Sequence, residues 1–142
     1  MECLEEVERL RGELASIKAR LDALAARLDS SLEQGLKEAL LKVMEEAGYV
    51  VERWEGFDEE GYVYGYPCSV EAYVASDELE AVLVEATHYL KPGDVAALAR
   101  LKELYERFTG SRLARIVVIA PYAHPKAVEA CLKMGVELYS RV

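Results

Sequence analysis

Two glutamates stand where strands are expected. Glu85 lies inside the run "AVLVEATHYL", Ala81 to Leu90, and Glu71 lies inside "CSVEAYVA". Alternation along a strand sends Leu83, Glu85 and Thr87 to one face, and Val84, Ala86 and His88 to the other. In the earlier segment Ser69, Glu71 and Tyr73 share a face, opposite Val70, Ala72 and Val74. If the two segments pair across a turn at Asp77, the spacing sets Glu71 and Glu85 side by side. Neighbouring carboxylates repel and call for a cation, a shared proton or water. Oxygen donors suit a hard divalent ion, magnesium or manganese. The competing reading, two carboxylates at wet strand ends, fits Glu71 better than Glu85, which is flanked by "AVLV" and "AT".

Other candidates carry less. His88 is expected to face away from Glu85, and His124 to open a helix, so a two-histidine site is not expected. Tyr62, Tyr64 and Tyr66 alternate, with Trp54 and Phe57 nearby. Such a surface could stack bases, though a half-buried aromatic sheet face gives the same pattern. Cys68 has no base at motif spacing and is not expected to be a nucleophile.

The elements that must position these residues alternate. A helix is expected over 31–47, with Leu36, Leu40, Val43 and Ala47 on one face and Gly48 as its stop. "YVVERW" reads as a strand, "EGFDEEG" as a loop, and "YVYGYPCSVEAYVA" as a strand interrupted at Gly65 and Pro67. "AVLVEATHY" is apolar on both faces, as a central strand is. Asp94 is the expected N-cap of a helix striped by Val95, Leu98, Leu101, Tyr105 and Phe108, and Gly110 closes it. "ARIVVIA" is a second buried strand. A helix from Pro125 to Gly135 and a short strand "VELYS" complete the order. The step from Val82 to Ile119 is expected to be a right-handed parallel crossover.

Ahead of this domain, expected over 31–142, the residues 1–30 read as a separate coiled-coil helix. Cys3, Val7, Leu10, Leu14, Ile17, Leu21, Leu24 and Leu28 alternate spacings of four and three. That period is the narrow seam of a left-handed supercoil. With Val7, Leu14, Leu21 and Leu28 at a and Leu10, Ile17 and Leu24 at d, a parallel pair sets Glu6 against Arg11 and Glu13 against Lys18. An antiparallel pair sets Arg11 near Lys18, so charge favours a parallel homodimer, by tenths of a kcal/mol. The helix over 31–47 either continues from the coiled-coil helix or breaks from it, with Asp29-Ser30-Ser31 the favoured place for a break. A helix packed on its own domain usually shows a wider stripe.

Composition bounds the function. The chain has 142 residues and net charge −9, which argues against a simple nucleic-acid binder. The charge is uneven: residues 1–28 carry net −1, residues 29–90 net −12 and residues 91–142 net +4. An acidic middle can hold a cation, and a basic flank could touch phosphates. Three dispersed cysteines, Cys3, Cys68 and Cys131, fit reduced cytoplasmic thiols rather than a disulfide framework. No apolar run is long enough to span a membrane, and the charged N-terminus is not expected to be a secretory signal. The absence of Asn and the single Gln34 point towards a heat-adapted source.

The pattern resembles the PD-(D/E)XK nuclease superfamily, in particular small archaeal-type members of unknown function with an N-terminal coiled coil. The resemblance covers roughly residues 36–140 and rests on element order, on "VEAYV" followed by "LVEAT", and on "DVAALARLKELYERFTG", "RIVVIAPY" and "GVELYS". It implies a restriction-endonuclease-like α-β-β-β-α-β core with an added C-terminal helix and strand. It also implies a magnesium or manganese ion held by Glu71, Glu85 and the carbonyl of Ala86, and no organic cofactor. An acid from the opening helix, Glu38 or Glu45, sometimes joins. The superfamily's lysine falls at Thr87, which can position water but supplies no charge. Lys91, four residues on, is the candidate to replace it, though a plain loop cation explains it as well. Arg107, Arg112 and Arg115 are then expected on a DNA backbone. Two functions follow: a coiled-coil dimer acting on DNA, its metal-dependent phosphodiesterase activity weak or lost, or a non-catalytic dimeric scaffold.

Overall fold

The computed structural model describes the backbone of residues 2–140 and the side chains of residues 3–17, 19–20 and 33–140. The order is α1 (Glu2–Glu46), β1 (Val50–Asp58), β2 (Cys68–Ser76), β3 (Ala81–Ala86), β4 (Tyr89–Leu90), α2 (Pro92–Thr109), β5 (Arg115–Ile119), β6 (Tyr122–Ala123), α3 (Pro125–Met134) and β7 (Glu137–Tyr139). The chain divides into two compact units, Met1–Leu32 and Glu33–Val142.

The first unit is helix throughout its described length. Leu4, Val7, Leu10, Leu14 and Ile17 are each about half or more exposed in the single chain. Leu21, Leu24 and Leu28 of the expected seam lie outside the described side chains. Of the two alternatives the continuous helix holds: the backbone stays helical through Asp29-Ser30-Ser31, with no break there. Ser and Asp are poor helix formers, but only by tenths of a kcal/mol each, too little to interrupt strong flanking helix.

In the second unit five strands form one sheet in the order β1-β2-β3-β5-β7. β1, β2 and β3 are antiparallel neighbours, and β5 and β7 continue in parallel. The fold is thus the α/β, restriction-endonuclease-like core expected, with the added helix and strand.

One sheet face carries Val70, Ala72, Val74, Leu83, Ile116 and Val118, packed with Val95, Leu98, Leu101 and Leu104 of α2 and Ala127 and Cys131 of α3. The other carries Ala75, Val82 and Val84, which pack against Leu40, Leu41 and Met44 of α1, with Tyr49 and Val51. A fully buried leucine such as Leu83 contributes about 1.5–3 kcal/mol by leaving water.

Several local expectations shift. β1 extends to Asp58 and absorbs most of the expected loop. The interrupted strand begins only at Cys68, because residues 61–67 form a tight turn. Asp58, buried, accepts from the Val63 N–H at 2.9 Å, and Arg100 Nε donates to the Val63 carbonyl at 2.9 Å. Gly61 (φ 67°) is needed there, since a Cβ would lie 2.8 Å from the Tyr66 backbone. The residue preceding α2 is Lys91; Asp94 sits three further on and accepts from the Lys91 N–H at 2.9 Å. α3 opens at His124-Pro125 as expected, and His124 also caps it, its Nδ1 accepting from the Lys126 N–H at 3.0 Å.

Candidate functional site

The site forms where β2 and β3 part. Their pairing runs from Ser76↔Ala81 to Tyr73↔Val84 and stops, so Glu71, Ala72, Glu85 and Ala86 lie beyond the last paired residues. β3 remains paired with β5 through Glu85↔Val118 and Ala86↔Ile119. β3 then ends, and Thr87 N–H donates to the Ile119 carbonyl at 3.0 Å.

This register decides where the two glutamates go. Tyr73 faces Val84, so Tyr73 and Glu71 stem from the α1 side of the sheet. Val74 faces Leu83, so Glu85 stems from the α2 side. By this register the two glutamates stem from opposite faces of the sheet, although the Glu85 carboxylate reaches Lys37 of α1. Each has a cation of its own. Glu71 Oε2 accepts from Arg53 of β1 at 2.6 and 3.0 Å. Glu85 Oε1 folds back to accept from the Ala86 N–H at 2.9 Å and lies 3.6 Å from Lys37 Nζ of α1. Burial pushes the Glu85 carboxyl above the ordinary 4.5, and Lys37 and the Ala86 N–H offset part of that rise.

Three further groups join Glu85. Lys37 Nζ sits over the Tyr73 ring, 4.9 Å from its centroid. Glu33, one turn before Lys37, accepts from the Thr87 hydroxyl at 2.8 Å and from the His88 N–H at 3.3 Å. Tyr64 is near enough to feel the site: its hydroxyl is pushed up by burial and then by the Glu85 carboxylate. Its ring stacks with Tyr66 at 6.4 Å. His88 packs edge-on against Tyr122 at 5.3 Å.

The other sequence candidates lie elsewhere. Glu38 is exposed and accepts from Gln34 at 3.1 Å, and Glu45 is exposed. The helix acid at Thr87 is Glu33, a residue that sequence reasoning missed. Lys91 is exposed before α2. Arg107 lies over the Tyr62 ring at 4.9 Å, and Tyr62 donates to Glu103. Arg115 is committed to Glu80, at 2.5 Å, and to Glu137, at 2.8 Å. Arg112 is exposed.

Comparison with known proteins fixes the family. The model of the PD-(D/E)XK nuclease superfamily matches residues 68–138, half of the chain. The chain belongs to the PD-(D/E)XK nuclease superfamily. A second family, described as a protein of unknown function (DUF3782), matches residues 1–67. No curated protein matches. Among solved structures, a repair endonuclease from Pyrococcus abyssi aligns with TM-score 0.50 at 15% identity, over 78% of this chain and 46% of that one. EndoMS in apo form (TM-score 0.45, 16% identity) aligns over 74% of this chain and 45% of its own. The EndoMS–dsDNA2 complex (TM-score 0.45, 18% identity) aligns over 75% and 44%. The chain spans less than half the length of each of these structures.

PD-(D/E)XK nucleases generally use magnesium or manganese. Among the described residues, no three His, Cys, Asp or Glu side chains gather as a metal-binding group. The donor set of this PD-(D/E)XK domain does not fit that ion: Glu71 is bonded to Arg53, Glu85 is paired with Lys37, and Glu33 is turned to Thr87. No described helix is long and apolar enough to cross a membrane.

Proposed function

We propose that this chain is a DNA-binding member of its superfamily, dimeric through a parallel coiled coil in the first unit, with metal-dependent phosphodiesterase activity weak or lost. The observation that carries this reading is the separate pairing of the two strand glutamates, Glu71 with Arg53 and Glu85 with Lys37. A phosphodiesterase site needs converging negative charge to hold an ion that activates water and stabilises the phosphate. Here that charge is divided and matched by protein cations. Thr87 adds to this, since its hydroxyl is already engaged by Glu33. The exposed apolar seam from Val7 to Ile17 supports the dimer.

One observation favours a non-catalytic scaffold as the second reading. Two of the three arginines assigned to DNA, Arg107 and Arg115, are engaged within the chain, which leaves less basic surface for phosphate.

The test pairs plasmid cleavage in magnesium or manganese with fluorescence anisotropy on labelled duplex at several salt concentrations. Binding that weakens as salt rises, without cleavage, is the expected result. Metal-dependent cleavage that disappears in Glu85→Ala would overturn the loss of activity. No binding at low salt would leave the scaffold.

A further inference from the structure

Lys37 is an unusual lysine. Its side chain is only 20% exposed, whereas lysine is almost never buried without a partner. Its ammonium lies 3.6 Å from Glu85 Oε1 and over the Tyr73 ring at 4.9 Å. Glu33 and Lys37 are four residues apart on α1, which sets them on one helix face. Glu33 in turn holds the Thr87 hydroxyl and the His88 N–H. Two carboxylates, Glu33 from the helix and Glu85 from the strand, thus come into one partly buried corner. Lys37 is the cation paired with Glu85 there.

We propose that Lys37 is a built-in counter-ion: its ammonium occupies, beside Glu85, the place where a divalent cation would otherwise be required, so that Glu85 is charge-matched without metal while Glu33 is held by the neutral Thr87 hydroxyl and His88 N–H. The geometry supports this in three ways. The ammonium needs no solvent-borne partner, because Glu85 neutralises it on one side and the Tyr73 ring faces it on another. It is tethered through α1, whose Leu40, Leu41 and Met44 anchor the helix to the sheet. A divalent ion at Glu85 would meet the ammonium that already lies 3.6 Å from Oε1, so binding would first require the lysine to leave. The inference concerns the charge balance of this corner and does not depend on whether the protein binds DNA.

The experiment uses the full chain, manganese chloride as probe, and calorimetry with thermal melting as readouts. In wild type, millimolar manganese should leave the melting temperature unchanged and give no saturable heat. Lys37→Met should melt lower, regain part of the loss on addition of manganese, and bind the ion at least about tenfold more tightly than wild type. That gain should vanish in Lys37→Met/Glu85→Gln. A folded Lys37→Met that takes up no manganese would overturn the proposal. Should Lys37→Met fail to fold, wild type decides by paramagnetic broadening. Manganese that first bleaches the Glu85 and Thr87 amides overturns the proposal, and amides left sharp there support it.

Discussion

The Thr87 hydroxyl donates to the Glu33 carboxylate at 2.8 Å, across 54 residues of chain. It ties the end of β3 to the part of α1 that covers the sheet. Thr87→Val keeps the shape and removes the donor. The expected loss is about 0.5–1.5 kcal/mol in denaturant unfolding, with the fold unchanged by circular dichroism. Thr87→Lys restores the superfamily's residue type but should gain no plasmid cleavage, because Glu71 stays with Arg53. Cleavage appearing in that variant would mean that the divided carboxylates can still cooperate.

Glu85 should titrate above the ordinary 4.5, and higher still in Lys37→Met, because Lys37 is what holds it down. A folded state that binds this proton more tightly than the unfolded chain gains stability as pH falls. The Glu85 contribution therefore makes the protein less stable as pH rises from about 4.5 through the raised folded value. Carboxyl carbon shifts followed by NMR against pH measure both midpoints. Equal midpoints in wild type and Lys37→Met would refute the coupling.

Asp77 behaves in the opposite sense. Its carboxylate accepts from the N–H groups of Leu79 and Glu80, each at 2.8 Å, and these bonds hold its pKa below 3.8. A lowered folded value contributes stability that is present above the ordinary value and lost as pH falls through the lowered one. Asp77→Ala should melt lower than wild type at pH 7, and the difference should shrink in acid below both values.

Arg112 and Arg115 should separate binding from stability. Arg112→Ala removes an exposed cation and should weaken duplex binding at low salt while leaving the melting temperature nearly unchanged. Arg115→Ala strips two carboxylates, Glu80 and Glu137, of their shared partner and should lower the melting temperature instead. Anisotropy and melting on both variants check the contrast; equal effects would refute it.

The assembly prediction rests on the first unit. Light scattering of the full chain should give a multiple of 15.9 kDa, and Leu10→Asp/Leu14→Asp should return a single-chain mass. A wild-type mass of one chain would remove the coiled coil from the account.

Much of the fold could be read from the chain because its periodicities are clean. "AVLVEA" and "ARIVVIA" are apolar on both faces and became the central pair β3 and β5. The site was legible only in part. Glu85 announced itself as a charge inside an apolar run. Its expected neighbour turned on register, and one residue of register exchanges the faces of a strand. With Ser76 opposite Ala81, the glutamate at 71 keeps company with Tyr73 and the one at 85 with Leu83. Glu33 and Lys37 were hidden for another reason. In a helix rich in charged residues nothing local marks the two that turn inward, and what distinguishes them is tertiary contact with Thr87 and Glu85.

The margins of the sheet carry a consequence for solubility. The strand at one border, β7, has three residues, too few to template an added strand. The strand at the other border, β1, presents Glu52, Arg53 and Glu55 to solvent. Charged or abbreviated borders disfavour strand-to-strand polymerisation. Crowded copies of this molecule are thereby steered away from fibrous growth along the sheet, even where its apolar helical surface invites company.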